Sequence, residues 1–90
     1  MNKIEQLETY LLNAGKIEKL QDEIDLIEIE LEAVGKSIKT AEKTNAAEEY
    51  IDYLAASYNN LNKKRIELAL QKNKLEKDAL MFEYSSQNSD

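Results

Sequence analysis

The side chains best placed for chemistry are six carboxylates, Asp22, Glu23, Asp25, Glu28, Glu30 and Glu32, which follow one another with no intervening base. Clustered carboxylates can hold a cation, exchange protons with a substrate, or imitate the phosphates of a nucleic-acid backbone. The first use calls for an Asp-rich calcium loop with its glycine or a Glu-x-x-His pair, and neither occurs. Proton exchange near neutrality is best served by histidine, and the chain has no His, Cys, Trp or Pro. Ser37, Ser57 and Ser85 have no base in a recognisable triad. We therefore expect no catalytic, metal-ligating or cofactor-binding residue, and a protein that is not an enzyme.

Phosphate imitation survives this elimination. Asp22, Asp25, Glu28 and Glu32 follow helical steps of three and four, so a rigid helix would present them as a negative ladder to the basic cleft of a nuclease or regulator. The plainer reading is the solvated face of a helix. Direct nucleic-acid or anionic-membrane binding is disfavoured by a net charge of -6. The one basic run, Lys63, Lys64 and Arg65, is short enough to be matched by nearby acids.

Charge is distributed unevenly: residues 1–34 hold nine acids against three bases, whereas residues 63–90 hold five against six. At 90 residues the chain makes one domain and buries too little surface for a sizeable closed pocket. It has no apolar run of the ~18 residues that a membrane span requires and no signal-peptide core, so a cytoplasmic location is expected. Richness in Lys, Asn, Ile and Glu fits an AT-rich genome, as in low-GC bacteria and their phages.

The elements that must position these groups are helical. Ile17, Leu20, Ile24, Ile27, Leu31, Val34, Ile38 and Ala41 alternate in steps of three and four, an unbroken coiled-coil seam. Upstream, Asn2 and Glu5 read as a capping box, followed by a stripe of Ile4, Leu7, Leu11 and Ala14. The step from Ala14 to Ile17 is one residue short, and Gly15 sits at the slip. Either the helix runs through with a local overwind, the favoured reading, or residues 2–13 form a separate helix.

Continuing the seam's phase past Ala41 would put Asn45, Glu48 and Asp52 at apolar positions, so the phase breaks there. A new register runs through Ala47, Ile51, Leu54, Tyr58, Leu61, Arg65, Leu68, Lys72, Leu75, Ala79 and Phe82. Asn45 followed by Glu48 reads as a second capping box. The fold expected is an all-α antiparallel coiled-coil helical hairpin over residues 1–84. Its first helix spans about 2–43, its turn about 43–46 and its second helix about 46–83, with residues 85–90 a disordered polar tail. Antiparallel pairing sets Ile38 against Leu54, Val34 against Tyr58, Leu31 against Leu61, Ile27 against Arg65, Ile24 against Leu68, Leu20 against Lys72 and Ile17 against Leu75. Arg65 and Lys72 are expected to reach out to Glu23, Glu28 and Glu30 on the first helix, and Tyr10 to meet Tyr84 at the open end. A continuous parallel coiled coil is the competing architecture.

Leu26, Ile29, Ala33, Ile66, Ala69, Leu70 and Leu80 fall off the seam, and Tyr53 points outward near the turn. One two-helix seam hardly offsets the entropy of ordering the chain, so these residues call for company. Association into a four-helix bundle as a homodimer comes first, then a third helix folded back from residues 2–13, then a face for another protein. The general form resembles small accessory, inhibitor and assembly proteins. It lacks both the β-hairpins of prefoldin-like chaperones and the Trp-x-Gly bend of paired-helix secretion partners.

The function expected is non-enzymatic protein binding by a small acidic adaptor or inhibitor, through Leu26, Ile29, Tyr53, Ile66 and Leu70. The alternatives are a nucleic-acid-mimicking inhibitor of phage or mobile-element type, acting through Asp22, Asp25, Glu28 and Glu32, and a structural or chaperone-like coiled coil.

Overall fold

Because one apolar stripe repeats at coiled-coil spacing and no proline interrupts it, the chain spends nearly all its length in two helices, α1 (Lys3–Lys43) and α2 (Glu48–Asn88). The computed structural model describes residues 2–88, with side chains through Phe82. The helices lie antiparallel as a hairpin measuring 68 × 17 × 14 Å. Its radius of gyration of 19.9 Å compares with about 12 Å for a compact chain of this length.

The seam holds the pair together. Ile24, Ile27 and Leu31 of α1 and Leu68 of α2 form the buried cluster, with Leu20, Leu61 and Ala69 packed against it. Leu54 and Ala41 are buried nearer the turn. The expected pairing fits this cluster and extends further: Tyr10 and Phe82, in the same register, stack with ring centroids 4.9 Å apart at the open end. Phe82 thus occupies the place beside Tyr10 that was expected of Tyr84, whose side chain lies outside the described residues. Ala69, expected on the outer face, is half-buried against the core.

A different device from the expected capping box makes the turn. Asn45 adopts φ 53°, the left-handed conformation that Asn tolerates better than most residues. The Ala46 N–H donates to Ala41 O at 2.9 Å and the Asn45 N–H to Glu42 O at 3.3 Å. These two bonds form a Schellman motif, which satisfies the last carbonyls of α1. Asn45 therefore ends the first helix and does not cap the second. In its place Ala47 O accepts from the Tyr50 and Ile51 N–H groups, and α2 begins at Glu48, two residues later than expected. At the other end of α1 the Asn2 cap is present, with the Glu5 N–H donating to Asn2 Oδ1 at 2.8 Å.

Other expectations are corrected as well. α1 runs through Gly15 without a break, so residues 2–13 are neither a separate nor a folded-back helix. The seam keeps its own phase toward the N-terminus, half-burying Tyr10 and Asn13 and leaving Ile4, Leu7, Leu11 and Ala14 exposed. Residues 85–88, expected in the tail, continue α2; residues 89–90 of that tail lie outside the described residues.

Neither glycine is required by space. A Cβ at Gly15 meets nothing within 4 Å, and one at Gly35 would sit 3.9 Å from the Tyr58 ring, an ordinary contact. Gly15→Ala and Gly35→Ala should each stabilise by up to about 1 kcal/mol, read as a rise of several degrees in the thermal midpoint. Asn45→Val should destabilise by about 1–2 kcal/mol, because a β-branched residue resists the left-handed region, whereas Asn45→Gly should be neutral or stabilising; denaturant titration followed by circular dichroism checks both.

Candidate functional site

A helix pair buries one stripe of each helix, so large apolar residues well off that stripe stay wet. Leu26 (61% exposed), Ile29 (64%), Tyr53 (67%), Ile66 (47%) and Leu70 (64%) all do. They do not converge on one patch. In heptad terms the seam takes positions a (Ile17, Ile24, Leu31, Ile38) and d (Leu20, Ile27, Val34, Ala41) of α1, and a (Tyr58, Arg65, Lys72) and d (Leu61, Leu68, Leu75) of α2. Leu26 and Ile29 then lie at c and f, on the back edge of α1. Ile66 and Leu70 lie at b and f, toward the opposite edge, on α2. Both groups sit at similar heights along the rod, with the helix pair between them. Tyr53 stands near the turn, thirteen residues and about 20 Å from Ile66.

The acidic ladder is also on the surface. Asp22, Asp25, Glu28 and Glu32 are exposed. Two of them have local partners: Gln21 Nε2 donates to Asp25 Oδ1 at 2.7 Å, and Glu32 pairs with Lys36 at 3.3 Å. Exposed pairs of this kind contribute a few tenths of a kcal/mol.

The basic residues in the seam turn along their own helix. Arg65 donates from Nε and from a terminal nitrogen to Asn62 Oδ1, at 3.2 and 2.8 Å, and Lys72 pairs with Glu76 at 3.1 Å. Among the described residues both ion pairs are i,i+4 pairs within one helix, which corrects the expected bridges to Glu23, Glu28 and Glu30. The nearer partners on the same helix win because an i,i+3 or i,i+4 neighbour is reached without bending a long side chain across the groove.

Among the described residues, surface grooves accompany the seam at several places. One, between Glu28, Gly35, Tyr58, Asn62 and Arg65, follows the flank where e positions of the two helices face each other. Another, beside Thr9, Tyr10, Asp78 and Phe82, follows the opposite flank at the open end, and a third lies near the turn beside Thr40, Ala46 and Tyr50. Among the described residues no group of three or more His, Cys, Asp or Glu side chains is arranged to hold a metal ion, and no helix is long and apolar enough to cross a membrane.

Sequence reasoning missed the apolar character of the open end as a surface. Exposed Ile4, Leu7, Leu11 and Leu12 of α1 gather there with Leu80 and Met81 of α2. The signal was the mismatch at Gly15. A stripe out of phase with the seam that follows it cannot share the seam's face unless the helix overwinds. No protein-family model matches the chain, and comparisons with curated proteins and with solved structures likewise find no match.

Exposure on the outer faces separates folding from binding. Leu31→Ala should lower stability by about 2–5 kcal/mol, enough to threaten folding of so small a core. Ile29→Ala and Leu70→Ala should stay within about 0.5 kcal/mol, as measured by thermal unfolding at low protein concentration.

Proposed function

We propose that this chain is a non-enzymatic interaction module, a small acidic adaptor or inhibitor that binds another protein through its helix faces in the cytoplasm. The observation that carries the reading is the set of large apolar side chains held in solvent on rigid helices, Leu26, Ile29, Ile66 and Leu70 among them. Such side chains are the anchors a partner's groove or helix takes up, and a helix offers them at fixed spacing and low entropic cost. Tyr53 adds an amphipathic contact, and the acids of α1 steer the approach. The two apolar edges face opposite ways, so each engages a different surface of a partner or a different molecule.

The acidic ladder supports a second reading, imitation of a nucleic-acid backbone toward a basic cleft. Asp22, Asp25, Glu28 and Glu32 are exposed along one continuous helix, α1. The two readings make opposite demands on the partner recovered from native cells with the tagged full chain. Under the apolar reading Ile29→Glu or Leu70→Glu abolishes recovery, while Glu28→Gln with Glu32→Gln changes it less than threefold. Under mimicry the carboxamide pair abolishes recovery, and wild-type binding collapses as salt rises. Recovery that survives both sets of substitutions overturns both and leaves a structural or assembly role through the ends of the rod.

A further inference from the structure

The back of each helix, the side turned away from the seam, is formed by heptad positions b, c and f. Over residues 15–36 the back of α1 carries Glu18, Asp22, Asp25 and Glu32 against Lys19 and Lys36, with Leu26, Ile29 and Ala33 among them. In the antiparallel register residue 36 lies level with residue 56 of α2, and residue 15 with residue 77. Over that matching length the back of α2 carries Lys63, Lys74 and Lys77 against Glu67, with Ile66 and Leu70 among them. All of these side chains are exposed. The two backs are therefore an acidic strip and a basic strip of opposite net charge, each with large apolar side chains near its middle. They stand at the same height on opposite edges of the hairpin.

We propose that the α1 back of one copy docks on the α2 back of the next, head to tail, so that hairpins line up side by side in an open row. The proposal rests on the interaction-module reading and gives its apolar anchors an occupant, a second copy of this chain. Because the two edges face opposite ways, no single neighbour covers both, and each copy that joins presents a fresh edge. Contacts of this heterologous kind propagate where a two-fold contact would close.

Charge and register select this arrangement. A two-fold contact on either edge would set the acidic back on another acidic back, or the basic back on another basic one. Head to tail, acid meets base. The α1 of one copy then runs antiparallel to the α2 of its neighbour, the relation the two helices already have within a hairpin. A slide of about half a heptad, ~5 Å along the axis, interleaves the facing side chains as the a and d layers interleave in the seam. Ile29 then falls level with Ile66 of the neighbour and Leu26 with Leu70. The same slide sets Asp22 level with Lys74, Glu32 with Lys63 and Glu18 with Lys77, where Lys19 falls as well. One displacement thus serves the apolar set and most of the charges, although the two strips lie on separate helices.

The test is the mass of the full chain by light scattering over a concentration series. The wild type should pass twice the chain mass of 10.3 kDa and go on rising with concentration, and added salt should lower it. Ile29→Glu blocks one edge and Leu70→Glu the other, so each variant alone should be a monomer with its helical circular dichroism retained. Mixed, the two should form a one-to-one pair through their intact edges and stop there. Leu11→Glu, outside both strips, should behave as wild type. A wild type that stays monomeric throughout overturns the proposal. A wild-type mass that levels off at two copies, or variants that remain apart when mixed, overturns the head-to-tail contact, and a mass indifferent to salt overturns the pairing of charges. Self-association lost in Ile29→Glu while an outside partner is still recovered supports the row and removes outside docking from that edge. A monomeric wild type whose partner recovery Ile29→Glu still abolishes overturns the row and leaves the interaction-module reading standing.

Discussion

Everything in this molecule depends on the burial of one narrow stripe against another. Ile24, Ile27 and Leu31 meet Leu68 and Leu61, and removal of their apolar surface from water is the principal force closing the hairpin. Two helices have only one mutual face, so the same contact that folds the chain leaves the rest of both cylinders in solvent. The protein thus has an interior too thin to enclose a site and an exterior rich in apolar side chains.

The register gives that surface its pattern. Antiparallel pairing places the acidic stretch of α1 alongside the basic stretch of α2, so the plank is polarised across its width. Apolar residues are divided among the back edge of α1, the outer side of α2 and the open end. Folding is closed by a small number of backbone bonds at the turn, where Asn45 reverses the local handedness and the carbonyls of Ala41 and Glu42 find donors.

Much of this architecture was legible from the residue types. The change of phase after Ala41 foretold the reversal, and the matched spacing of the two seams foretold the register, which holds as far as Tyr10 and Phe82. Where the reading failed, a local rule had two outcomes of similar merit. Asn followed three residues later by Glu describes a helix start, yet Asn is also the non-glycine residue most at ease in the left-handed turn that ends one. The stripe from Ile4 to Ala14 was apolar at helical spacing, and only the continuous seam beyond Gly15 determined which way it pointed. Arg65 and Lys72 were assigned partners across the groove because charges matched, but Asn62 and Glu76 were nearer on the same helix. The exposed apolar residues off the seam were legible as a set, but their division into separate faces was not.

The claim on which all the faces rest is the antiparallel register, and a distance across the hairpin measures it most directly. Spin labels on Lys16→Cys and Lys77→Cys, in one chain diluted with unlabelled protein, should give an interspin distance of roughly 20–30 Å, the helix separation plus the label arms. A distribution centred near 90 Å, the length of a single uninterrupted rod between these positions, would contradict it.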